Sequence, residues 1–178
     1  MPATDSVATV RAREGARQVV FTDGACIGNP GPGGWAWARS AEEFDSGGDP
    51  WTTNQRMEVR AVLEAVRRHP GPLEVVSDSA YVVNCFRDRW WQGWRARGWR
   101  NSRGEAVANQ DLWRELLALV VDGRPPGEVS FRKVKGHSGD AMNELVDRLA
   151  NEQARRAGPG APGVAFLARP STSPRSEI

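Results

Sequence analysis

The chain has 178 residues, enough for one domain around a single core. Hydrophobic residues make up 39% and charged residues 26%, which excludes wholesale disorder. A formal net charge of +2 is too small to announce a nucleic-acid partner, so any such surface must be sought in how the charge is distributed.

Residues 1–16 mix Ala, Thr, Arg and Glu without a sustained period and read as a flexible tail. Gln18–Asp23 (QVVFTD) sets Val19, Phe21 and Asp23 on one face, predicting a strand that closes on a carboxylate and stops at Gly24. Gly28–Gly34 (GNPGPGG) suits neither a helix nor a central strand, and predicts a tight connection into an antiparallel strand around Trp35–Arg39. A third strand is expected over residues 41–47, broken by Gly47, Gly48 and Pro50. From Thr53, an N-cap residue, Met57, Ala61 and Ala65 with Val62 and Val66 recur at helical spacing until His69 and Pro70 end the helix.

Pro72–Asp78 (PLEVVSD) predicts a second strand ending in an acid, and Ser79–Phe86 resumes a helical pattern, as in a parallel crossover. Residues 109–121 form an amphipathic helix, Glu128–Val134 a strand and Ala141–Arg156 a last helix. Residues 157–178 are rich in Gly, Pro, Ser and Arg and read as a disordered tail. The order β-β-β-α-β-α-α-β-α describes an α/β domain over residues 17–156, a five-stranded mixed sheet with helices on its faces.

No run approaches the roughly 18 apolar residues of a membrane span, and the N-terminus lacks the order of a signal peptide. Cys26 and Cys85 are the only cysteines and have no CxxC spacing, so a disulfide framework or zinc site is not expected and a reducing cytoplasm is. All basic residues except Lys133 and Lys135 are arginines, which fits a GC-rich genome as well as phosphate recognition.

Asp23 and Asp78 close strand patterns, where α/β sheets build their sites. Glu58 shares a helix stripe with Val62 and Ala65, and Asp147 lies beside Ala150 with Asn143 and Asn151 one turn away on either side. Ionised acids directed at a core need a positive partner. Arg56 and Arg148 fall on other helix faces, so divalent cations are the economical answer, and oxygen-only ligation favours Mg²⁺ or Mn²⁺. Taken singly, each acid reads equally well as a cap or a surface residue, and periodicity does not make the four converge.

The segments FTDGACIGNPGPGGWA, TTNQRMEVRAVLEAV, VVSDSAYVVN and VKGHSGDAMNELVDRLA, in this order and over roughly residues 18–155, resemble bacterial type I ribonuclease H (ribonuclease HI). The resemblance implies a ribonuclease H-like fold and an endonuclease that hydrolyses the RNA strand of RNA–DNA hybrids. It further implies two Mg²⁺ ions per site, Mn²⁺ being able to substitute, and 5′-phosphate and 3′-hydroxyl ends. It assigns Asp23, Glu58, Asp78 and Asp147 as the metal-binding and catalytic carboxylates. His137 would be a mobile catalytic histidine that handles the attacking water or departing product, and Glu144 an acid linked to product release. His69, at a helix end, keeps a structural reading as a charge complement to the helix dipole.

Asn29, Asn54 and Gln55 resemble residues that reach the hybrid's minor groove, and Thr53 one that grips a DNA-strand phosphate. Ala80 stands where the family has glutamine, which removes one base-edge contact, and Asp140 stands where a histidine is common. Residues 86–103 (FRDRWWQGWRARGWRNSR) hold six arginines against one aspartate and resemble the family's basic handle, one residue longer than usual. Trp90, Trp94, Arg95, Arg97, Trp99 and Arg100 would contact the hybrid there, although the same tryptophan spacing fits helix packing. A cytoplasmic monomer without membrane attachment is expected. A hybrid-binding module without catalysis, a resolvase or transposase core, and a retroviral-type domain are the rival readings. The intact acids and His137 weigh against the first, the KGH loop and handle against the second, and the handle and absence of polymerase sequence against the third.

Overall fold

Alternation along Gln18–Cys26 (β1) sends Val20 into one buried cluster and Phe21 and Ala25 into another, so both faces of this strand are covered. A computed structural model describes residues 16–159, and the tails expected at 1–16 and 157–178 lie, but for their inner edges, outside the described residues. After β1 come Gly31–Ala38 (β2), Phe44–Thr52 (β3), Asn54–Arg68 (α1), Leu73–Ser77 (β4), Ala80–Arg87 (α2), Trp90–Ala96 (α3), Gln110–Leu117 (α4), Val129–Lys133 (β5) and Ala141–Ala157 (α5). A single π-type turn, Ala118–Asp122, continues α4. The sheet order is β3-β2-β1-β4-β5, with β1 antiparallel to β2 and parallel to β4, which is in turn parallel to β5.

The larger core, with α1 at its centre, gathers Val20, Leu73, Val75, Val59, Val62, Leu63, Val66 and Trp113. The smaller packs Val146, Ala150 and Ala154 of α5 against Ala25, Ala36 and Ala38. The five-stranded mixed sheet and its helix-covered faces are therefore as expected. Three boundaries are not.

β1 does not stop at Gly24 but runs to Cys26, because Gly24–Cys26 pair with Trp35–Gly33. Gly31–Gly34 are not a connection but the first half of β2, an internal strand. Glycine is needed there because a Cβ at Gly34 would strike the Ala150 carbonyl of α5, and one at Gly33 would meet Ala25 O at 2.9 Å. The third strand is not broken by Gly47, Gly48 and Pro50 but spans Phe44–Thr52. It is an edge strand, where proline costs no ladder bond, and a Cβ at Gly47 would lie 2.7 Å from the Trp35 indole.

The handle adds a helix, α3, absent from the expected element order. At the C-terminus of α1, His69 is 3% exposed, its Nδ1 lies 2.8 Å from Ala65 O, and its ring stands edge-on to Trp37. Its structural reading is kept, as a buried cap and not a surface charge. Arg124 completes the cap by donating to the Val66, His69 and Gly71 carbonyls, each at 2.9 Å.

Candidate active site

The parallel register that pairs Thr22 with Ser77 sets the next residues level with each other, Asp23 within the central strand β1 and Asp78 just past the end of β4. Glu58 reaches them because β1 and α1 touch at Gly24, where any Cβ would land on the backbone of Met57 and Glu58. Asp147 arrives from the opposite face. Asp23 shares the side of β1 that Phe21 and Ala25 present to α5, and the tight seating of α5 on Gly34 fixes the helix at that height.

The four acids line one open cleft of about 300 Å³ together with Gly24, Ala25, Cys26, Asn54 and Asn151. Each sequence-predicted acid is thus in the same place. Three are turned to protein donors. Gly24 N–H donates to Asp23 Oδ1 at 2.8 Å, Asn54 Nδ2 and Ser79 Oγ donate to the two Glu58 oxygens at 2.9 and 2.7 Å, and Asn151 Nδ2 donates to Asp147 Oδ1 at 3.1 Å. Among the described residues no three His, Cys, Asp or Glu side chains are gathered tightly enough to hold an ion as they stand, so the acids line the cleft without closing on one point.

Burial, followed by the Asp78 carboxylate, pushes the Asp23 carboxyl up to about 8, and Asp147 and Glu58 add to the rise against the opposing Gly24 hydrogen bond. Burial also raises Glu58, with Asp78 adding to it, while Ser79 and Asn54 stabilise its charged form. A cleft in which four carboxylates are the charged groups, and in which the Asp23 and Glu58 carboxyls resist ionising, fits hard divalent cations. Asp23, Glu58, Asp78 and Asp147 are the residues able to hold them.

Two neighbours of the acids went unread in the sequence. Ser79 caps α2 through Val82 N–H and also donates to Glu58, a double role signalled only by its place after Asp78. A Cβ at Gly136 would stand 2.8 Å from Asp78 Oδ2, so glycine there lets the loop that carries His137 lie against this acid. His137 itself is exposed and left-handed, with φ 54°, and is not among the residues lining the cleft. Asp140 anchors the end of that loop by capping α5 at Met142 and Asn143 N–H, which gives it a structural role in place of a second loop histidine. Glu144 is exposed on the first turn of α5.

Asn29, Thr53, Asn54 and Gln55 form one exposed or half-exposed margin of the cleft. Asn29 Oδ1 accepts from Asn54 N–H at 3.0 Å, and Thr53 Oγ accepts from Arg56 N–H at 3.3 Å as the α1 cap. The exposed Ala80 opens α2.

In the handle, Trp94 and Arg95 are not free to contact a hybrid. Trp94 is 8% exposed and packs edge-on to Trp113 with centroids 5.4 Å apart, so it is a core residue, drawn in by the helix spacing that also suited a groove. Arg95 is clamped bidentately to Asp122 at 3.0 and 2.7 Å. Trp99 is half-buried beneath Arg114, 4.4 Å from the ring centroid. Trp90 and the guanidinium ends of Arg97 and Arg100 remain exposed, although Arg97 also donates to Arg100 O and Arg100 to Gly104 O.

Comparison with known proteins shows the family and the fold. The family model for RNase H matches residues 15–155. A ribonuclease H of Thermus thermophilus is 45% identical over 144 residues, covering 78% of this chain and 84% of that protein. The crystal structure of LC9-RNase H1, a type 1 RNase H with the type 2 active-site motif, superposes with a TM-score of 0.62 at 32% identity, over 80% of this chain and 74% of that one. LC11-RNase H1, solved in complex with an RNA/DNA hybrid, superposes with a TM-score of 0.59 over 78% of this chain and 97% of that one. At 20% identity it bears on the fold alone.

Proposed function

This chain belongs to the ribonuclease H family, and on that premise we propose that it is an endonuclease that hydrolyses the RNA strand of RNA–DNA hybrids, leaving 5′-phosphate and 3′-hydroxyl ends. The observation that carries the reading is the single cleft lined by Asp23, Glu58, Asp78 and Asp147, in which burial, and after it the Asp78 carboxylate, raises the Asp23 carboxyl to about 8. A binding module has no use for an arrangement whose ionised form is so disfavoured.

Asp23, Glu58, Asp78 and Asp147 would hold two Mg²⁺ ions, with Mn²⁺ able to substitute, and these would activate the attacking water and stabilise the departing oxygen. Asp23, level with Asp78 and on the side of β1 that faces α5, would be one of these ligands. Ser79 and Asn54 orient Glu58, and Asn151 orients Asp147, so these ligands would not have to search for a rotamer. Metal uptake would require the Asp23 proton to leave.

His137, on the exposed loop that Gly136 sets against Asp78, would pass a proton between solvent and the scissile phosphate. Glu144, on the adjoining turn of α5, would favour product departure. Asn29, Asn54 and Gln55 would read the minor groove, Thr53 would take a DNA-strand phosphate, and Trp90, Trp99, Arg97 and Arg100 would follow the backbone across the handle. No described helix is long and apolar enough to cross a membrane. The unpaired Cys26 and Cys85 support a reducing, cytoplasmic setting, in which the chain would act as a monomer.

The test is a labelled RNA–DNA hybrid offered with and without Mg²⁺, with duplex RNA and duplex DNA as controls. Metal-dependent cleavage confined to the hybrid's RNA strand is the expected result. Cleavage of either control at a comparable rate would overturn the proposal.

A further inference from the structure

Trp51 is 71% exposed, the most exposed large apolar side chain among the described residues. It belongs to neither core, and the handle that contains most of the other tryptophans is elsewhere in the chain. Its position is nevertheless fixed. Thr52 is 4% exposed and points inward, and Thr53 continues the extended backbone with φ −126° and ψ 158°, so Trp51 and Thr53 leave the chain on the same, outer side. Trp51 N–H donates to Asp49 Oδ1 at 2.9 Å. One residue on, the Thr52 carbonyl lies 3.4 Å from Cys26 Sγ, on the wall of the acidic cleft. Asn54, one residue past Thr53, binds Asn29 through its backbone and Glu58 through its side chain. The ring therefore stands on the shoulder of the cleft, beside the margin assigned to the hybrid.

We propose that the Trp51 indole packs against a deoxyribose of the DNA strand, next to the phosphate taken by Thr53, and so helps to select DNA opposite the cleaved strand. The inference rests on the hybrid reading above and deepens it. An indole face carries no charge to meet a phosphate, and the Asp49 carboxylate beside its backbone disfavours an anion there. It does offer a broad apolar surface, and the C2′ methylene of a deoxyribose is the complementary one. A ribose would place its 2′-hydroxyl against that face and strip it of water without a hydrogen-bond partner. The backbone of Trp51 is already held at a strand end, so binding has only the side chain's two torsions to fix.

The experiment uses the full chain and a fluorescein-labelled RNA–DNA hybrid, with binding followed by anisotropy without divalent metal. A second series replaces each deoxynucleotide of the DNA strand in turn by a ribonucleotide. Trp51→Ala should raise Kd about five- to tenfold, the scale of losing one aromatic contact. The slope of log K on log salt should not change, because no charge is removed. Trp51→Phe should restore most of the affinity. At one position a ribonucleotide should weaken binding by the wild type and cease to matter in Trp51→Ala, and in turnover the loss should fall on KM.

Unchanged melting temperature would confirm that the exposed ring is not structural. Binding by Trp51→Ala within twofold of the wild type, a ribonucleotide penalty that persists at every position, or a fall in kcat at saturating hybrid would each overturn the assignment. If the wild type cleaves the hybrid and Trp51→Ala binds like it, Trp51 alone is misassigned. If the wild type neither binds nor cleaves it, the hybrid reading falls with it.

Discussion

Replacing Asp23 with Asn should abolish cleavage while making the protein more stable, and the pH dependence of that gain is its signature. The carboxyl, pushed from an ordinary 3.8 up to about 8, keeps its proton in the folded state at pH 7, whereas the unfolded chain has already released it. A folded-state value above the unfolded one means that the native form binds more protons between these limits, so stability falls as pH rises from about 4 to about 8. At pH 7 the difference is about three pK units. At 1.36 kcal/mol per unit that sets an upper bound near 4 kcal/mol, and relaxation of the cleft brings the expected gain to about 2–4 kcal/mol.

Asparagine keeps the Oδ1 that accepts from Gly24 N–H, so the substitution relieves the cost without losing that bond. For a domain of this size such a gain is worth roughly 5–15 °C in melting temperature. Calorimetry of wild type and Asp23→Asn in metal-free buffer at about pH 4, 6 and 8 should show the two converging at the lowest pH and separating above it. A gain that does not change with pH would refute the argument, as would a less stable variant. In a parallel assay, a variant keeping more than about a tenth of wild-type kcat, a loss under roughly 1.4 kcal/mol, would mean that Asp23 is no metal ligand.

Three further outcomes follow from the same geometry. Titrating Mg²⁺ without substrate should raise the melting temperature by a few degrees at about tenfold its Kd; at one fixed Mg²⁺ concentration the rise should be larger at pH 8 than at pH 6, because the Asp23 proton must leave, and absent in Asp23→Asn. No shift in demonstrably active protein would mean that the acids bind cations only with the substrate phosphate. Gly136→Ala should lower kcat without unfolding the chain, since its Cβ would meet Asp78 Oδ2 at 2.8 Å from an exposed loop. An unchanged kcat would show that the loop yields freely. Arg97→Ala with Arg100→Ala should raise KM for long hybrids and flatten the salt dependence by up to about 0.9 log unit per lost phosphate contact, whereas Arg95→Ala should lower the melting temperature by loosening the Asp122 clamp. Equal salt slopes for wild type and the double variant would leave these arginines as solvated surface.

Where the chain follows one strong period, the sequence was a sufficient guide. The helix capped by Thr53 and the strand ending before Asp78 have a single apolar repeat and a clear stop, and both lie within a residue or two of where the pattern puts them. The glycine-rich strands defeated it for a physical reason. Gly and Pro at Gly31–Gly34 and Gly47–Pro50 read locally as breakers, yet these strands need residues without Cβ because α5 and the Trp35 indole approach them so closely. That requirement comes from elements distant in the chain, and no window of ten residues contains it. Trp94 illustrates the converse. Four tryptophans among six arginines have the composition of a groove, and only the arrival of Trp113 from α4 decides that one of them turns inward.

The acids were legible as candidates, and their convergence depends on contacts that carry no acid at all. Gly24 brings α1 against β1, Gly34 seats α5 on β2, and the Thr22–Ser77 register levels Asp23 with Asp78. The two glycine contacts are backbone-to-backbone, so their sequence signature is the absence of a side chain, which reads as flexibility until the partner is known. Gly24→Ala should therefore be more damaging to the fold than any single substitution among the four acids. Its methyl would have to displace the backbone of Met57 and Glu58, a strain of order 3 kcal/mol or more, whereas Asp23→Asn relieves strain. Thermal melts of the two variants side by side should move in opposite directions. If Gly24→Ala melted with the wild type, α1 would have room to retreat, and the close approach would not be what brings Glu58 to the cleft.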